Sequence, residues 1–335
     1  MSETPRPDWI AADWIAADWG TSNLRVWAMA SDGTALAAAR SDDGMARLAP
    51  EAFEAALLRL VTPWLRDRAP VPVVICGMAG ARQGWREAPY RPVPCAPLGP
   101  GMLAFGGDDP RLHVAIVPGL SQARPADVMR GEETQIAGLL AVAPGFDGIA
   151  CLPGTHTKWA QLSAGEVVGF QTCITGELFA LLSGQSVLRH SVGTTGWDAD
   201  AFADAVADAI GAPQKLAARL FGLRAEALLS GLAPESARAR LSGLLIGLDL
   251  AASRPYWLGQ EIVLIGDGTL AGRYAEALAA QGAAPRQADA TEITLAGLRA
   301  ARTLLAGKGW PRPGATSWRS CAASARTRPR PSPKP

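Results

Sequence analysis

One pattern, present twice, constrains this chain more than any other feature. "IAADWGTSNLRVWAMASDGTALAAAR" (residues 15–40) and "IACLPGTHTKWAQLSAGEVVGFQT" (149–172) have their parts in the same order. Each starts with a short apolar run and passes through Gly-Thr and small polar residues or His. A second strand-like run, a glycine hairpin and a third run follow. Gly20-Thr21 corresponds to Gly154-Thr155, 134 residues later. Apolar runs separated by glycine turns predict antiparallel strands. Two distant copies of one such unit predict a duplicated α/β domain, although strand–turn–strand meanders are common enough to match without duplication.

The segments around the two copies support an α/β reading. "PEAFEAALLRLVTPWL" has helical spacing, and "VPVVICGMAG" and "HVAIVPG" read as strands, the first running into a glycine-rich loop. "ADVMRGEETQIAGLLAV" (126–142) reads as one helix with its acidic residues near the start, where the helix dipole favours them. "TGELFALLSGQSVL" and the Ala/Leu-rich stretch 199–252 predict further helices. "EIVLIGDGTLAGRYAEALAAQG" predicts a strand, a turn holding Gly266 and Gly268, and an amphipathic helix, and "ITLAGLRAARTLLAG" a closing helix.

A length of 335 residues suits two domains, and 48% apolar with 19% charged residues suits a globular protein. No apolar run approaches the roughly 18–20 residues that cross a bilayer. "MSETPRPDW" lacks the basic start and apolar core of a signal peptide, and the five cysteines form no CxxC pair. A reduced, cytoplasmic location without membrane contact is expected. Net charge is +1, yet the stretch from Lys308 onward holds seven Lys/Arg and no Asp/Glu. Without it, 25 basic residues stand against 31 acidic, a net charge of −6, so no nucleic-acid partner is expected for the body. The end, "RTRPRPSPKP", reads as a disordered appendage.

The turns point to chemistry. A Gly-Thr turn after a buried strand presents backbone N–H groups and a hydroxyl, which can cradle phosphate oxygens. One such turn per domain could hold a nucleotide's phosphates from both sides, using Gly20, Thr21, Ser22 and Asn23 on one side and Gly154 and Thr155 on the other. Asp-Trp occurs at 8–9, 13–14 and 18–19, but only Asp18 is followed by the turn. Asp18 is therefore the candidate to hold Mg²⁺ beside phosphate. Arg25, just beyond, is a candidate to neutralise the phosphoryl group in flight.

Taken in order, "DWGTSNLRVW", "GMAGARQGWREAPY", "VPGL…DVMRGEETQIAGLL", "LPGTHTKWA", "TGELFALLSGQSVL" and "LIGDGTLAGRYAEAL" resemble the 2-dehydro-3-deoxygalactonokinases. These are sugar-acid kinases of the sugar kinase/Hsp70/actin superfamily, and the resemblance spans roughly residues 10–306. It implies two ribonuclease-H-like domains, expected at 8–142 and 143–306, with a nucleotide and substrate cleft between them and a tail at 307–335. It also implies ATP, Mg²⁺ and phosphorylation of a 2-keto-3-deoxy sugar acid at its 6-hydroxyl, in galactonate catabolism. A homodimer is left open, as is galactonate against gluconate stereochemistry.

A kinase base must accept the hydroxyl proton. Many relatives carry an Asp before the second turn, where this chain has Pro153. Glu133, then Glu132, are the expected substitutes, because "MRGEETQ" resembles the Glu-Glu segment of exopolyphosphatases; Glu177 is the next carboxylate. Lys158 is expected to bind phosphate or carboxylate, and Gly266 and Gly268 to let the backbone approach the nucleoside. Arg82 and Arg86 are expected at the substrate carboxylate, where a planar guanidinium gives a two-pronged contact, and Glu177 at the sugar hydroxyls. A salt-bridged loop would account equally for the two arginines, as helix capping would for Glu177. His156 reads as an ordinary hydrogen-bonded turn residue, and Trp85 and Trp159 as core. Two rival functions share the fold: a phosphohydrolase in which Glu133 activates water, and a non-catalytic sugar or ATP sensor.

Overall fold

The computed structural model describes residues 10–66, 69–266 and 268–308. The first repeat forms β1 (Trp14–Trp19), β2 (Leu24–Met29) and β3 (Ala35–Ser41), followed by α1 (Phe53–Val61) and β4 (Val71–Gly77). Then come β5 (Tyr90–Pro92), β6 (Leu103–Gly106), β7 (Leu112–Ile116), β8 (Gly119–Ala123), β9 (Ala126–Met129) and α2 (Glu132–Val142). The second repeat forms β10 (Gly148–Leu152), β11 (Thr157–Ser163) and β12 (Glu166–Cys173). The helices α3 (Thr175–Gly184), α4 (Ala199–Gly211), α5 (Leu216–Leu229), α6 (Pro234–Ala252) and α7 (Arg254–Trp257) follow. The last elements are β13 (Ile262–Gly266), α8 (Gly268–Ala279), β14 (Arg286–Asp289) and α9 (Ala290–Lys308).

The sheets bear out the expected duplication. The first runs β3-β2-β1-β4-β7-β6 and the second β12-β11-β10-β13-β14. In each, the first strand is antiparallel to the second and parallel to the fourth. The fifth position is again parallel, and β6 adds an antiparallel edge to the first sheet alone. This is the ribonuclease-H-like order, twice. β1 and β10 are central strands covered on both faces, so they read as continuous apolar runs rather than alternating ones.

Each sheet is covered by helices from both halves of the sequence. α1 places Phe53, Leu57 and Val61 against Ile15, Trp19 and Val73. The opposite face of the first sheet, with Trp14, Trp27 and Val74, takes Leu295, Leu298 and Leu305 from α9. α2 in turn gives Ile136 and Leu139 to the core of the second sheet, beside Leu162 and Phe170. The two helices cross at Gly138 and Gly297, where a Cβ would overlap the backbone of Ile293 or Thr134. The last helix thus ties the two sheets together under the cleft. Trp19 is fully enclosed, and its replacement by Ala would cost about 3–5 kcal/mol.

One expected helix is two elements. Residues 126–129 are the strand β9, which pairs with β8, itself paired to β5 on its other side in a small third sheet, and the helix starts only at Glu132. Gly131, at φ 107°, breaks any continuous helix. Asp127 on β9 accepts from the Thr172 N–H and hydroxyl at 2.7 Å each, a contact 45 residues away that helical periodicity cannot report. The tail from residue 309 onward lies outside the described residues. Among the described residues no helix is long and apolar enough to cross a membrane.

Candidate active site

The two Gly-Thr turns face a single cavity of ≈ 950 Å³ between the sheets. Both are braced from behind. The carbonyls of Gly20 and Thr21 accept from Met45 N (3.1 Å) and Ala46 N (3.0 Å), and that of Thr155 accepts from Glu177 N (2.9 Å). The bracing segments press so close that a Cβ on Gly44 would overlap Thr21 and Ser22, and one on Gly176 would overlap Gly154 and Thr155. With carbonyls engaged behind, the N–H groups of Thr21, Ser22, Thr155 and His156 have no acceptor among the described residues. Such a pair of turns can take anionic oxygens from both sides.

Asp18 lines the cavity near the C-terminal end of β1. Its Oδ2 accepts from Arg25 Nη2 at 2.6 Å and Nε at 3.2 Å, and Arg25 Nη1 donates to Thr291 Oγ1 on α9 at 3.2 Å. The Cys76 thiol at the end of β4 lies 3.6 Å from Asp18 Oδ1. Burial, with the Asp18 carboxylate beside it, pushes the Cys76 thiol well up, so it stays a neutral donor. Asp13 lies at the opposite end of β1, where it pairs with Arg66 and accepts from Ser31 N at 2.7 Å. Asp8 lies outside the described residues.

The second turn carries basic side chains. Lys158 is almost fully buried, and its Nζ reaches Glu132 Oε1 at 3.3 Å, across to the start of α2. His156 bonds Glu177 at 2.6 Å. Beneath the turn, the buried Asp249 on α6 accepts from Trp159 Nε1 (2.8 Å), Thr175 Oγ1 (2.7 Å) and Tyr274 OH (2.5 Å). Tyr274 OH also lies 2.9 Å from Thr157 Oγ1. Asp249 thereby links the strand leaving the turn, the helix bracing it and α8. Burial, with Asp249 adjacent, holds the Tyr274 phenol far above its ordinary range, so it remains a donor.

The two adjacent glutamates are in opposite situations. Glu132 lines the cavity, its Oε2 accepting from Arg130 N at 3.0 Å. Glu133 is wholly buried, its Oε2 taking Gly131 N at 2.7 Å and its Oε1 taking Thr134 Oγ1 at 3.0 Å. Burial, reinforced by the Glu132 carboxylate, pushes its carboxyl up to about 8. Glu133 therefore carries its proton at neutral pH and does not face the cavity, whereas Glu132 does.

Gly20, Thr21, Ser22, Asn23, Arg25, Gly154, Thr155, Lys158 and Gly266 share the cavity wall with Asp18 and Glu132. Arg82, Arg86, Glu177 and Gly268 are not among the residues lining it. Arg86 stacks over Phe105 at 4.1 Å, and Arg82 pairs with Glu87 at 3.3 Å in an exposed loop. Glu177 is turned to His156. Trp85 packs on Trp19 and Phe105, and Trp159 is core. The cavity also includes Arg40, Asp42, Tyr90, Arg130 and Thr291, and Asp249 stands behind it; none of these was singled out from sequence. Asp249 alone left a signal, as a lone acid in the apolar run "LLIGLDLAA".

Comparison with known proteins gives one consistent result. A family model described as 2-keto-3-deoxy-galactonokinase matches residues 18–301. A Rhizobium meliloti protein named a probable 2-dehydro-3-deoxygalactonokinase is 40% identical over 298 residues, covering 87% of this chain and 96% of its own length. The Escherichia coli 2-dehydro-3-deoxygalactonokinase is 35% identical over 268 residues, covering 78% of this chain and 88% of its own. A crystal structure of a Sinorhizobium meliloti protein assigned the same name superposes with a TM-score of 0.80 at 40% identity, covering 91% of this chain and 100% of that one.

Proposed function

The chain belongs to the 2-keto-3-deoxy-galactonokinase family and is an ATP-dependent kinase, and we propose that it phosphorylates 2-dehydro-3-deoxy-D-galactonate at the 6-hydroxyl, giving the 6-phosphate and ADP. The observation that carries the reading is the pair of braced turns on one cavity, with Asp18 on one side and the Lys158–Glu132 pair on the other.

In this mechanism Gly20–Asn23 and Gly154–Thr155 hold the ATP phosphates through backbone N–H groups, and Gly266 lies under the nucleoside. Asp18 is the ligand for Mg²⁺. The fit is good: among the described residues Asp18 Oδ1 is approached only by the neutral Cys76 thiol while Arg25 fixes Oδ2, and phosphate-bound Mg²⁺ asks the protein for only one or two carboxylates. Bound there, the ion would neutralise charge building on the phosphate oxygens. Arg25 and Lys158 add positive charge from opposite sides, fixed in place by Asp18 and Glu132 before the reaction.

Glu132 takes the proton of the 6-hydroxyl, since it is the carboxylate of the adjacent pair that lines the cavity. Glu133 holds the turn that presents it. Phosphoryl transfer passes through a loose transition state, so positioning contributes more than the base. The test is a coupled ADP-release assay over a panel of 2-keto-3-deoxy sugar acids with a no-acceptor control. Turnover that depends on the galactonate-derived acid supports the reading; equal ADP release without acceptor would mean a hydrolase instead.

A further inference from the structure

Within that kinase reading, we propose that Arg130 is the binding residue for the carboxylate of the acceptor, and that the small sheet β5-β8-β9 forms the acceptor side of the cleft. Arg130 follows β9 directly and lines the cavity with Tyr90, Val128 and Met129. It is 8% exposed. Its guanidinium lies over the Tyr90 ring at 4.3 Å and donates one hydrogen bond, from Nη2 to Ala88 O at 2.8 Å. Nε and Nη1 are enclosed by protein and have no acceptor among the described residues. Gly80 leaves the space for this placement, since a Cβ there would crowd Nη1 at 2.7 Å.

Charge completes the argument. The other buried cation of the cleft, Lys158, is held by Glu132, and Arg25 is held by Asp18. Glu132 gives its second oxygen to the Arg130 backbone N–H, not to its guanidinium. No ion pair to Arg130 occurs among the described residues. A buried guanidinium with no counter-ion is unfavourable until an anion arrives; a ligand can bring one from the cavity that Arg130 lines, the enclosed Nε and Nη1 turning outward to meet it. A carboxylate with a planar 2-keto neighbour matches the flat fork of Arg and the aromatic face beneath it. The phosphates are served by the two turns, which leaves Arg130 for the acid that distinguishes this acceptor from a neutral sugar. It takes the place expected from sequence for Arg82 and Arg86.

The experiment compares 2-dehydro-3-deoxy-D-galactonate with its C1 carboxamide on the full-length wild type, Arg130→Met and Arg130→Lys. Kinetics and equilibrium titration are both read, with melting curves to establish folding. Wild type should favour the acid by roughly 100-fold in kcat/KM, mostly through KM. Arg130→Met should bring acid and amide to the same value while KM for ATP stays within about twofold. Arg130→Lys, which keeps the charge and loses the fork, should fall between them. Undiminished preference for the acid in Arg130→Met, or a rise in KM for ATP matching that for the acid, would overturn the assignment. If Arg130→Met does not fold, Arg130→Lys with the full wild-type preference overturns it alone. Binding that follows this pattern without phosphorylation would leave Arg130 assigned and sink the kinase reading; wild type that binds neither compound would sink both.

Discussion

The two Gly-Thr turns share a backbone and differ in nearly everything attached to it. Both follow the central strand of a sheet with the same strand order, and both are braced through carbonyls by a later segment that approaches at a glycine. The first closes between Trp19 and Leu24, the second between Leu152 and Lys158, so the second is one residue longer. Opposite Asp18 the first hairpin sets Arg25; opposite Leu152 the second sets Lys158. The first turn thus has its acid and base joined on one hairpin. The second does not: Lys158 finds its carboxylate across the cleft on α2, and its strand rests on Asp249 below. A duplicated unit can keep its anion-binding backbone, which needs no particular side chain, while the side chains divide the work.

Five substitutions would break or sharpen this contrast. Asp18→Asn removes the carboxylate that pairs with Arg25 and with it the proposed metal ligand, so kcat should fall on the order of 10³-fold. Asp13→Asn, at the other end of the same strand, should leave kcat unchanged. Equal loss in both variants would end the assignment of the first turn as the metal side.

Asp249→Ala should loosen only the second turn. Trp159, Thr175 and Tyr274 lose their common acceptor, at a cost of about 3 kcal/mol read from chemical denaturation. KM for ATP should rise while KM for the sugar acid holds. A variant with both constants unchanged would show that Asp249 supports the core and not the turn.

Glu132→Gln should slow the chemical step about 10²-fold, the lower end for a positioned base, because little proton transfer is needed early. Glu133→Gln should keep turnover within a few-fold. The reverse result in single-turnover rates would return the role to Glu133.

The remaining effect is a pH dependence of stability from Glu133. Its folded value of about 8 lies above the ordinary 4.5, so the folded protein keeps a proton that the unfolded chain releases between those values. The associated stability is full below about 4.5 and is lost as pH rises through about 8. Glu133→Gln lacks this term. Its Tm relative to wild type, measured in EDTA, should therefore climb across that window; a constant difference would mean that Glu133 is ionised in the folded state.

Much of the frame was legible from sequence. The strands around each Gly-Thr turn, the hairpins and most helices follow from local periodicity and turn chemistry, which act over a few residues. Asp18 could be chosen from three Asp-Trp copies because the turn that matters is its immediate neighbour. The third sheet could not, since β5, β8 and β9 are short and held by partners such as Thr172 on β12.

The side chains of the acceptor half were decided by tertiary structure. At the start of α2, one residue of register turns a side chain by about 100° around the helix, which sends Glu132 into the cleft and Glu133 into the protein. Among the arginines, the motif "GARQGWREAPY" and the planar fork of the guanidinium favoured Arg82 and Arg86, but packing turned these to Glu87 and Phe105. Packing also enclosed Arg130, on the far side of the β8–β9 hairpin, beside Tyr90. The amino-acid sequence by itself determined which backbone could hold phosphate, because a turn is a local object. Which charged group faces the cleft, and which is left needing a partner, depends on contacts between segments far apart in the chain, and those exist only once the two sheets and the helices crossing beneath them have come together.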